Sequence, residues 1–98
     1  MSLPLVFRSE VRTDVDEAYA WYEKRRSGLG DDFLASVKKV YDQIRDTPAF
    51  YPVVYRDVHF GVTKRFPYGV YYRIYPDYLL VLAVAHHRRH RRIWRSRA

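Results

Sequence analysis

Apolar residues change their spacing three times along the chain, and each change predicts an element. Leu5, Val6 and Phe7 form a short β-prone centre that stops at Ser9, a residue suited to capping a helix N-terminus. Val11, Val15, Ala18, Tyr19 and Tyr22 then recur at three- and four-residue spacing, which aligns them on one face of a helix running from Glu10 to near Arg26. Gly28 and Gly30 interrupt that helix, because glycine accepts the positive φ with which helices end. Asp31 and Asp32 favour the positive end of a second helix dipole, and Phe33, Val37, Val40 and Ile44 form its stripe, widened by Leu34 and Tyr41. Pro48 stops it. So short a connection predicts two helices packed as an antiparallel hairpin.

Phe50 to Tyr55 reads as an extended aromatic linker. From Val58 the period is two, with Val58, Phe60, Val62, Lys64 and Phe66 on one side and His59, Gly61, Thr63 and Arg65 on the other. That pattern predicts a half-buried strand with His59 on its solvated side. Pro67-Tyr68-Gly69 marks a turn, Val70 to Tyr75 is rich in β-branched and aromatic residues, and Pro76-Asp77 turns the chain again. Tyr78 to Ala85 is almost wholly apolar, as a central strand should be. The expected fold is α+β: an N-terminal strand, the helical hairpin, a three-strand antiparallel meander packed on the helices, and a basic C-terminal segment.

Composition sharpens this picture in three ways. Ninety-eight residues cannot support two cores, so residues 1–98 are expected to form a single domain. With 48% hydrophobic and 17% aromatic residues the chain has enough apolar surface for that core. The lack of cysteine excludes disulfides, thiolate metal ligands and a cysteine nucleophile, and no metal or cofactor is expected. The N-terminus lacks the pattern of a secretory signal, and the longest apolar run is far shorter than the roughly 20 residues of a spanning helix. A cytoplasmic protein without a membrane partner is the expectation. Charge is lopsided: Met1 to Asp57 hold nine Lys/Arg and ten Asp/Glu, whereas Val58 to Ala98 hold nine Lys/Arg and only Asp77. Such a field favours nucleic acid, the ribosome, an anionic membrane surface or an acidic protein as partner of the C-terminal half.

Trp21-Tyr22-Glu23, Gly28-Leu29-Gly30 with Phe33, Phe66-Pro67-Tyr68, Tyr72-Arg73, and Ala83-Val84-Ala85-His86 with Arg89, Trp94 and Arg97 follow one another in an order that resembles the RelE/ParE toxin superfamily of bacterial type II toxin–antitoxin systems. The resemblance runs from about Phe7 to Arg97. It implies a growth-inhibiting toxin, neutralised in a hetero-oligomer by a cognate antitoxin. RelE-like members cut mRNA on the ribosome, and ParE-like members instead poison DNA gyrase without cutting RNA.

Cleavage by 2′-oxygen attack needs a base, an acid and cations around the scissile phosphate. His86, His87, Arg89 and Arg65 are the candidate catalytic residues, histidine because it carries protons near neutral pH. Lys64, Arg65, Tyr68, Arg73, Arg88, Arg91, Arg92 and Trp94 are the candidate contacts to nucleic acid or another target. Arginine forks would grip phosphates, and Trp94 would either stack on a base or pack back on the domain. Against a nuclease, the arginine that RelE-like enzymes carry after the turn tyrosine falls on Gly69, and their C-terminal tyrosine falls near Ile93-Trp94. Trp21, Tyr22 and Phe33 are expected to be helix-packing residues. A non-toxic or degenerate nucleic-acid-binding module of the same fold is the alternative.

Overall fold

The computed structural model describes residues 3–88 and 91–98. The chain runs β1 (Leu5–Phe7), α1 (Glu10–Arg25), α2 (Leu29–Asp46), β2 (Val53–Tyr55), β3 (Val58–Val62), β4 (Tyr68–Ile74), β5 (Leu79–His86) and α3 (Arg91–Arg97). The expected order of strand, two helices and three strands is present, with β2 and α3 in addition. The sheet has the order β1-β5-β4-β3-β2, with β1 parallel to β5 and every other pair antiparallel. β5 is therefore central, as its apolar run predicted.

The hairpin closes through a single carboxylate. Glu23 accepts hydrogen bonds from Gly28 N at 3.0 Å and Gly30 N at 3.0 Å, which satisfies donors that the start of α2 leaves unpaired. Gly28 takes φ +91°, the conformation predicted for it. Ser9 stands at the start of α1 but makes no side-chain cap, and its hydroxyl turns to Glu10 instead. Phe33, Val37, Val40 and Ile44 are buried against Val70, Tyr72, Leu79 and Val81 of the sheet. The Tyr72 hydroxyl donates to Pro48 O at 2.6 Å, tying β4 to the end of α2.

The aromatic linker forms an edge strand: β2 pairs with β3 through a tight turn in which Arg56 takes φ +51°. The alternation on β3 has the predicted period, but its sides are occupied differently. His59, expected in solvent, stacks on Tyr72 at 5.1 Å and holds Tyr51 O at 2.7 Å through Nδ1, on the hairpin side. Val58 and Phe60 face the other way, where α3 lies over Tyr71, Leu82, Ala83 and Ala85. Both faces of the sheet are covered, so both sides of the strand can be buried.

α3 is anchored by Trp94, 4% exposed, which stacks on Tyr71 at 4.4 Å. The packed alternative for Trp94 is the one the structure adopts. β1 ends opposite Val81, so the edge of β5 beyond it lacks a neighbouring strand. Asp14 of α1 accepts from Val84 N at 3.2 Å and pairs with Arg97 at 2.6 Å, while Arg97 donates to Leu82 O at 3.1 Å. One ion pair thus replaces the missing strand hydrogen bonds and clamps α3 to α1.

Candidate functional site

The turn between β3 and β4 and the end of β5 meet at one rim of the sheet. Thr63 builds that turn: its hydroxyl donates to Phe66 O at 3.1 Å and to Tyr68 O at 2.9 Å, and its amide also donates to Tyr68 O. Phe66 is buried against Tyr22 and Phe33, so it anchors the turn. Register places Tyr68 opposite His86, with ring centres 5.6 Å apart, and the His86 and His87 rings stack at 5.5 Å. His86 is 7% exposed, and its Nδ1 accepts from Arg88 N at 3.1 Å. In its neutral form the proton therefore lies on Nε2. His87 is half-buried and approaches Phe60 at 6.4 Å.

Phe60 decides what this rim can hold. A Cβ placed on Gly69 would fall 1.9 Å from Phe60 Cε1 and 2.3 Å from Cζ. The ring occupies the space a side chain at 69 would need, and it packs on Tyr71 at 4.7 Å. Beside it, Val54, Phe60, Tyr71, His87, Trp94 and Arg95 line a cavity of about 300 Å³. Its walls are mostly aromatic. The buried Trp94 Nε1 has no hydrogen-bond partner among the described residues.

The remaining candidates are dispersed. Arg73 lies five positions along β4 from Tyr68, roughly 17 Å away at ~3.4 Å per residue. It is held there by Asp57 at 2.8 Å and Ala98 O at 2.9 Å. Lys64 and Arg65 face α2 across a separate cleft, and Arg65 pairs with Asp32 at 3.4 Å. Arg88 is exposed beside His86. Arg89 lies outside the described residues, as do the side chains of Arg91 and Arg92. The structure therefore brings together Tyr68, His86, His87 and Arg88, and leaves Arg73 apart from them; Arg65 stands on the same turn as Tyr68, but its guanidinium is paired with Asp32 at 3.4 Å. Trp21, expected to pack within the hairpin, is 42% exposed with the Arg25 guanidinium 3.8 Å over its ring.

Sequence reasoning missed Phe60, Tyr71 and Arg95 as parts of the rim. The available signal was the pairing of a glycine with a diagonal aromatic across two strands, which depends on register. Among the described residues no group of histidine and carboxylate side chains could hold a metal ion. No described helix is long and apolar enough to cross a membrane.

Residues 5–91 match the family described as the ParE toxin of the type II toxin–antitoxin system parDE. Among solved structures, the chain is similar to one titled as the chromosomal ParDE TA system from P. aeruginosa. The TM-score is 0.65 at 15% identity, over 87% of this chain and 96% of the other, which is a likeness of fold. A search of curated proteins gave no match.

Proposed function

Because the chain belongs to the ParE toxin family of type II toxin–antitoxin systems, we propose that it arrests growth by holding its target, DNA gyrase in the ParE-like reading, and that it cuts no RNA. The observation that supports this reading is the Phe60 ring over Gly69. It fills the space from which an arginine would stabilise a phosphorane. General acid–base work also needs groups within about 3 Å of the moving proton. His86 is buried under Tyr68 with Nδ1 engaged, Arg65 is paired with Asp32, and Arg73 is held by Asp57 farther along β4. A rim of packed rings suits contact better than proton transfer.

Inducing the chain without a partner should stop bacterial growth with transcripts intact, DNA breaks and an SOS response. Transcripts cut at fixed codon positions would overturn the reading. His86→Ala, which removes the best-placed proton carrier, should leave the arrest in place.

The cognate antitoxin is the partner that this reading requires. Two apolar clefts that share Val15 and Tyr41 run along the outer side of the hairpin, past Phe7 and Val11 at one end and Leu34 and Val37 at the other. Val15 is half-buried, and Phe7 and Leu34 are exposed, so an amphipathic segment would bury what they now present to water. Leu34→Lys should weaken neutralisation by the product of an adjacent gene while leaving toxicity unchanged.

A further inference from the structure

Between α2 and β3, on the hairpin side of the sheet, lies a cleft of about 440 Å³ separate from the Phe60 rim. Lys39, Lys64 and Arg65 supply its cations and Phe50 and Tyr51 its rings; Arg65 also pairs with Asp32 at 3.4 Å, but no carboxylate is among the described lining residues, so the lining is positive. The cleft is built into the fold. A Cβ at Gly61 would come within 2.8 Å of Val40 and 2.9 Å of the Tyr51 ring, so glycine there is what lets Tyr51 lie flat against β3. His59 fixes Tyr51 from behind by donating through Nδ1 to its carbonyl, and is itself stacked on Tyr72. Ser36 of α2 donates to Lys64 O at 3.4 Å, and Arg65 takes φ +72°, a conformation that residues with side chains seldom adopt. Phe50 meets Tyr51 edge-on at 5.1 Å and is 62% exposed, which leaves its ring open to solvent beside the cations.

We propose that this cleft binds a nucleoside phosphate, presented by single-stranded nucleic acid or as free nucleotide, with phosphate on Lys39, Lys64 and Arg65 and the base stacked on Phe50. Cations that follow a backbone and an exposed ring that accepts any base are the two components of sequence-tolerant single-strand binding. The volume suits one nucleotide, within the usual range of small-ligand clefts. An acidic peptide would engage the cations but leave the Phe50 ring without a flat partner. The proposal is independent of which macromolecule the toxin arrests.

Fluorescence anisotropy of the full chain with labelled ten-residue oligodeoxythymidylate tests it. Phe50→Ala removes an exposed ring and should weaken binding about 5- to 150-fold, the loss of one stacked base. The double variant Lys39→Gln/Lys64→Gln should flatten the slope of log affinity against log salt by about 1.4, two single-strand phosphate contacts. Arg88→Ala, on the other rim, should leave the Phe50 effect unchanged. Competition by AMP at the affinity of the oligomer assigns free nucleotide as the ligand, and much weaker competition assigns a strand; either upholds the site. Phe50→Ala binding like the parent, or a glutamate decapeptide displacing the oligomer at lower concentration than AMP, would overturn it.

Discussion

Helices of 16 and 18 residues cover one face of the sheet, while a helix of seven covers the other. On the hairpin side the contact is a continuous cluster running from Val11 to Val84, with Phe33 and Ile44 fully buried. On the α3 side the contact narrows to Trp94 on Tyr71, supported by the Asp14–Arg97 pair. The hairpin is held by area, which is non-directional and tolerant of detail. α3 is held, among the described residues, by the Trp94 ring and by directional bonds: the Arg97–Asp14 pair, Arg97 to Leu82 O, Arg8 to Arg97 O and Arg73 to Ala98 O. The first arrangement is expected to set global stability, and the second to let α3 open before the rest unfolds.

Truncation in the hairpin core should have the largest effect: Phe33→Ala is expected to cost about 3–5 kcal/mol, read from denaturant midpoints. Trp94→Ala should lower the global midpoint less than Phe33→Ala does, because the loss falls on a segment that can open locally, and should selectively speed amide exchange in α3. Equal losses from the two variants would mean that the faces unfold as one unit, and the contrast would fail. Gly69→Ala forces a methyl into the Phe60 ring and should cost about 1–3 kcal/mol, most of it recovered when Phe60→Ala is added. Asp14→Asn should weaken the clamp by about 1–2 kcal/mol through lost charge-assisted hydrogen bonds, with α3 again exchanging faster than α1.

The smallest effect belongs to Glu10. The hydrogen bond from the Arg8 guanidinium, itself bound to Arg97 O, lowers the Glu10 carboxyl from 4.5 to about 2. A carboxyl depressed in the folded state stabilises above its unfolded value, and that contribution is lost as pH falls from about 4.5 to about 2. Glu10→Gln should flatten the acid limb of the stability profile in that window, measured by thermal unfolding across pH.

The same contrast explains what could be read from the sequence. The hairpin was legible because its stripe repeats over many turns and its ends carry glycine, aspartate and proline. The central position of β5 was legible from its uninterrupted apolar run. β2 was not, because three residues show no period and the Arg56 turn lacks the usual glycine or asparagine. α3 was hidden by its arginines: Arg97 pairs with a residue 83 positions away, a relation that no local pattern carries. Of the candidate site, Tyr68 and His86 were each named from the turn and the strand end, their pairing needed the β4–β5 register, and Gly69 stood out as a missing arginine. That Phe60 fills its place required the β3–β4 register.

The ring on Gly69 also shapes how this protein can change. Adding an arginine at 69 alone drives its Cβ into Phe60, and removing Phe60 alone opens a hole beside Tyr71. Either single substitution passes through a less stable chain, so placing a cation at 69 takes two coordinated changes, each unfavourable by itself.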